Sequence, residues 1–101
     1  MSTGSSIHAG HRQRMKERFL AGGLEGFSDH EVLELILFYA IPRRDVNELS
    51  HKLVERFGSF RAVFDADFED LLKVDGIGEN AALLIKLMAE SFLFPLGEDE
   101  Q

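Results

Sequence analysis

A chain of 101 residues, 45% hydrophobic and 29% charged, amounts to one domain with room for one modest core. It has no cysteine, which excludes a disulfide scaffold, a thiolate zinc site and a cysteine nucleophile. No apolar run approaches the ~20 residues of a membrane span, and the first ten residues lack the basic and apolar regions of a secretory signal, so a cytoplasmic setting without membrane contact is expected.

In chain order, residues 1–7 are small and polar and are expected to be disordered. A helix is expected from His8 to Ala21, with Met15, Phe19 and Leu20 on one side and Gly22-Gly23 closing it. Ser28 and Glu31 form a capping box that opens a second helix through Ala40. Its apolar residues Val32, Leu33, Leu35, Ile36, Leu37 and Phe38 nearly encircle it, so it should be the central buried helix. Pro42 ends that helix at Ile41, and Asp45 starts a third with Val46, Leu49, Leu53, Val54 and Phe57 inward. Gly58 closes it, and Ser59 caps a short turn bearing Phe60, Val63 and Phe64. Asp67 opens another short helix to Lys73, Val74 to Gly78 form a tight hairpin, and the last helix runs from Glu79 to Phe92. No stretch alternates with period two. The expected fold is all-α, a bundle of five or six short helices over residues 8–94, with an acidic tail over 95–101.

Charge divides the chain unevenly. Residues 1–64 hold nine Lys/Arg against eight Asp/Glu, whereas residues 65–101 hold two against ten. A cationic surface has to be sought in the first part.

The segment Leu71–Ala82 carries the most chemistry. Gly76 and Gly78 flank Ile77, permit backbone angles that side chains would forbid, and admit a second backbone closely. Ile77 would plug the gap between two helices, and Ala82 is small where the second helix crosses the hairpin. The N–H groups of Gly78, Glu79 and Asn80 then stand free at a helix N-terminus, a ready anion site. With its flanking helices, over residues 68–92, the segment resembles the helix-hairpin-helix motif, whose N–H groups hold a DNA phosphate without reading bases. It departs from that motif's better DNA binders, which carry Lys or Arg after the second glycine, where this chain has Glu79 and Asn80. Glu79 repels a phosphate although it complements the helix dipole. A compact joint between two helices, with no ligand, is the alternative reading.

The resemblance extends along the chain. His11-Arg12, Arg18-Phe19, Gly26-Phe27-Ser28-Asp29-His30-Glu31-Val32-Leu33-Glu34-Leu35, Leu53-Val54-Glu55-Arg56-Phe57-Gly58-Ser59 and Val74-Asp75-Gly76-Ile77-Gly78 occur in this order. Together they resemble the N-terminal domain of the bacterial RadC family, called DNA repair proteins. The resemblance implies a helical domain that precedes a JAB/MPN-type domain similar to a zinc-dependent hydrolase. The His-x-His-Pro-Ser-Gly-x-x-Asp-like ligand motif of that second domain is absent here. The chain is therefore read as a fragment or a natural truncation, and hydrolase chemistry is not assigned to it.

Phe38 to Val54 reads as a degenerate second copy of the same unit, its hairpin Ile41-Pro42-Arg43-Arg44 having lost both glycines and gained two cations. Arg43 and Arg44 would supply the charge that the glycine hairpin lacks, or else form a solvated pair. Arg12, Arg14, Lys16 and Arg18 fan around the first helix, as phosphate contacts or as a solvated face. His8 and His11 have a chelating spacing but no evident third ligand, and His30 and His51 have no obvious partner. Asp65, Asp67, Glu69 and Asp70 look exposed, where nothing would shift a carboxyl toward acid–base work. No nucleophile has a positioned base, so neither an enzyme nor a cofactor or metal site is expected. The apolar end Phe92 to Leu96 would dock on this domain, on a following one or on a second copy. The expected function is weak, sequence-independent contact with the DNA backbone through Gly76, Ile77, Gly78, Glu79 and Asn80 with Arg43, Arg44, Arg12 and Arg14. The alternative is an interaction or regulatory module for another protein or for the missing JAB/MPN domain.

Overall fold

Of the side chains that α1 (Thr3–Gly22) presents from Gly10 onward, Met15 alone reaches the core. The computed structural model describes residues 3–95, with side chains from Gly10 on, so most of the expected acidic tail (96–101) lies outside the described residues. α1 begins at Thr3, five residues ahead of the expected start, and residues 3–7 are helical where disorder was expected. With so little apolar surface to bury, α1 is fastened to the next helix by its cations. The Arg12 guanidinium lies 4.5 Å from the centre of the Phe38 ring, Lys16 lies 5.8 Å from Tyr39, and Arg18 lies 4.2 Å from Phe27 and pairs with Glu31 at 3.3 Å. Cation–π contacts at such partly exposed sites contribute about 0.5–1 kcal/mol each.

α2 (Asp29–Ala40) opens on the expected capping box: the Ser28 N–H donates to Glu31 Oε1 at 3.1 Å, and Ser28 Oγ accepts from the Glu31 N–H at 3.4 Å. α3 (Asn47–Phe57) starts two residues after Asp45, the expected cap: Val46 takes the cap position instead, and Asp45 Oδ1 accepts from the Asn47 N–H at 3.0 Å across it. It ends at Gly58, whose φ of 108° is the left-handed cap glycine adopts readily. Ser59 caps α4 (Phe60–Asp65), and α5 (Phe68–Leu72) and α6 (Glu79–Ser91) complete an all-helical chain with no strand among the described residues.

α2 packs against α1, α3, α4 and α6, and α6 also meets α4 and α5. Leu33 and Leu37 from α2, Leu53 from α3, Val63 from α4, Leu71 from α5 and Ala82 and Ile85 from α6 are fully buried at their junction. α2 is central but, contrary to expectation, not enclosed. Leu35 and Ile36 are half-buried and Tyr39 is exposed. Its inward face instead includes Glu34, which is 1% exposed. No helix among the described residues is long and apolar enough to cross a membrane.

Candidate nucleic-acid interface

The turn between α5 and α6 is set by local bonds: the Val74 N–H donates to the Leu71 carbonyl at 3.1 Å and the Ile77 N–H to the Val74 carbonyl at 3.0 Å. Ile77 points inward and is buried with Val74, Ala81 and Ala82. Gly76 has a φ of 101°, and a Cβ there would stand 3.2 Å from Leu49 Cδ1 on α3 and 3.7 Å from Arg44 Nη2. The positive φ is what calls for glycine, and a Cβ would in addition press on the Leu49 methyl. Gly78 is different: its φ of −99° suits any residue and a Cβ would meet nothing within 4 Å. What Gly78 does is cap α6 without a side chain. The first bond of α6 runs from the Ala82 N–H to the Gly78 carbonyl at 3.1 Å, so the N–H groups of Glu79, Asn80 and Ala81 precede the helix ladder, and no cap side chain accepts from them.

The turn between α2 and α3 comes to meet this one. Ile41 and Arg44 line a depression of about 370 Å³ together with Gly76, Gly78, Glu79 and Asn80. The structure thus brings the expected arginine pair to the glycine turn through one member, Arg44, whose guanidinium forms no hydrogen bond or ion pair with the described residues. Arg43 is exposed and lies outside the lining. Arg12 is not a free surface cation. It donates to the Phe38 carbonyl at 3.2 Å, the Ile41 carbonyl at 3.0 Å and the Arg44 carbonyl, closing the end of α2 and holding the turn that carries Arg44. Arg14 is exposed and stands about 200° round α1 from Arg12, away from the face that meets α2.

Two polar clusters escaped the sequence reading. Glu34 Oε2 accepts from His11 Nε2 at 2.8 Å and its Oε1 accepts from Asn47 Nδ2 at 3.2 Å, tying α1 and α3 to α2. Its sequence signal was an acid set between Leu33 and Leu35. His30 and His51, expected to be without partners, stack on each other with ring centres 3.7 Å apart. Among the described residues no three metal-ligating side chains gather.

Residues 8–83 match the family model described as UPF0758 N-terminal. The chain belongs to the UPF0758 family. Over 81 residues this UPF0758 chain is 42% identical to the UPF0758 protein of Fusobacterium nucleatum, covering 80% of itself and 35% of that relative. It is 43% identical to the UPF0758 protein of Ruegeria pomeroyi over 81 residues, 36% of that relative, and 46% identical to that of Rhodobacter capsulatus over 74 residues, 35% of it. It therefore spans about a third of the length of the relatives it matches. No solved structure matches it.

Proposed function

We propose that the chain is a non-catalytic helix-hairpin-helix module that contacts the DNA backbone weakly and without regard to base sequence, as its resemblance to the RadC N-terminal domain implies. One observation carries the reading: the Arg44 guanidinium stands against Gly76 in the depression that Gly78, Glu79 and Asn80 also line. A phosphate seated there accepts from uncapped N–H groups at the start of α6 and faces a cation. Such contacts position a backbone and carry no sequence information. Arg43 adds long-range attraction, Ile77 fixes the turn from inside, and Arg12 acts as a positioning residue. The net charge of −7 keeps the affinity low.

Fluorescence anisotropy with short labelled duplexes tests this. Binding is expected to fall steeply between about 50 and about 200 mM salt. Arg44→Ala should weaken all sequences alike and flatten the salt dependence by about one. A wild-type chain that binds no duplex even at the lower salt overturns the reading.

A second role rests on a different surface. Leu35, Ile36 and Tyr39 of α2 and Leu84 and Met88 of α6 line a nearly all-apolar groove of about 290 Å³, with Leu83 and Leu87 exposed beside it. Apolar faces of this kind mark interaction sites. Because the relatives are almost three times as long as the matched segment, the occupant we assign is the remainder of the full-length protein. Hydrogen exchange should find the groove-lining amides more protected in a full-length relative than in this chain. Equal exchange in both removes this role.

A further inference from the structure

Three cations that play no part in the reading above lie beside the same turn. Lys52 and Arg56 stand one turn apart on α3, about 6 Å along its axis, and Lys73 ends α5. With Val74, Asp75 and Glu55 they line a depression of about 420 Å³. It adjoins the first one: Val74 and Asp75 border this depression, and Gly76 borders the other. α3 is the spine common to both. Arg44 precedes its first turn, Leu49 packs on Gly76, and Lys52 and Arg56 follow toward its other end.

These cations are little engaged by the fold, in contrast to Arg12, Lys16 and Arg18. Lys52 forms no hydrogen bond or ion pair with the described residues. Arg56 lies over the ring of its neighbour Phe57 at 5.5 Å. Lys73 reaches Asp70 at 3.4 Å in an exposed pair of the kind that contributes little. Glu55 and Asp75 share the depression and leave it with a formal excess of one positive charge, which suits an anion held by several weak contacts.

We infer that the Lys52–Arg56–Lys73 depression is a second phosphate subsite, so that the ligand of this face is a continuous polynucleotide strand whose phosphates occupy both depressions. The inference rests on the DNA-binding reading but makes a separate claim: the α3 side of the turn contributes to binding, and an isolated phosphate fills half the site.

The test compares wild type, Arg44→Ala and the triple variant Lys52→Gln, Arg56→Gln, Lys73→Gln in the same anisotropy titrations. All four side chains are exposed, and circular dichroism checks that each variant folds. The triple variant is expected to bind roughly tenfold or more weakly at low salt and to flatten the salt dependence by about two to three. Its effect should add to that of Arg44→Ala in the combined variant. If the triple variant matches wild type while Arg44→Ala weakens binding, the second subsite falls and the hairpin contact stands. If the triple variant weakens binding and Arg44→Ala does not, the hairpin contact falls, and with it the strand that would occupy both depressions. No binding by wild type removes both. Tripolyphosphate serves as competitor: displacement of DNA at matched phosphate concentration would mean that a short polyanion satisfies both depressions and would overturn the assignment to a polynucleotide.

Discussion

At the first position of α6, Glu79 lies where the free N–H groups of the helix attract a carboxylate, worth about 0.3–1 kcal/mol. On the DNA-binding reading proposed above, the same position would face an incoming phosphate. Fold and ligand would then pull in opposite directions on one side chain, and Glu79→Gln should separate them: tighter DNA binding by anisotropy, with the unfolding free energy from urea titration lowered by less than about 1 kcal/mol. Glu34 offers the opposite case, an acid whose whole role is internal. Its oxygens accept from His11 and Asn47, and it is almost fully buried. A carboxylate oxygen can only accept, so this bond calls for a hydrogen on His11 Nε2. His11→Ala leaves that oxygen without its donor and is expected to cost about 2 kcal/mol in urea unfolding. Glu34→Leu, which removes the polar group altogether at similar volume, should cost less.

Among the elements, the start of α2 is where pH enters. The Ser28 backbone N–H, followed by the Arg18 side chain, holds the Glu31 carboxyl below its ordinary value of 4.5. A carboxyl lowered in the folded state adds stability above its unfolded value and loses it as pH falls through the lowered one. Wild type should therefore lose stability in acid below about pH 4.5 more steeply than Glu31→Gln, which keeps the capping geometry without the charge. Urea midpoints at neutral and acid pH decide it, and parallel curves would refute it. This capping box was legible in the sequence because its partners are three residues apart, as were the Ser59 cap and the Gly58 stop. Arg12 was not legible as a clamp. Its acceptors on Phe38, Ile41 and Arg44 lie 26 to 32 residues away, and only the packing of α1 on α2 brings them within reach. The helical extension over residues 3–7 has no signal in the sequence.

For the molecule as a whole, the all-helical architecture followed from periodicity and caps, whereas the candidate site did not. Gly76 announced a turn, but that it would be Arg44 and not Arg43 that meets it depends on how two turns dock. Lys52 and Arg56 of α3 carried no signal in the sequence, because only the fold sets Lys73 beside them. The radius of gyration of 15.0 Å, against about 13 Å for a compact chain of this length, reflects a long α1 that meets the body through α2. Met15 is the one core anchor among the described side chains of α1, which is otherwise held by cations over rings and by the polar bonds of His11 and Arg12, and few buried apolar contacts of this kind are what low protection requires. Yet Arg12 on that helix holds the carbonyls of Ile41 and Arg44. Opening of α1 ahead of α3 and α6 would take this brace from the turn. Native-state hydrogen exchange should then find the amides of residues 41–44 exchanging in step with those of α1 and ahead of the α3 and α6 interiors. The N-terminal helix would thereby set how much of the time Arg44 is in place, and anything that captured a detached α1 would slacken the site from a distance.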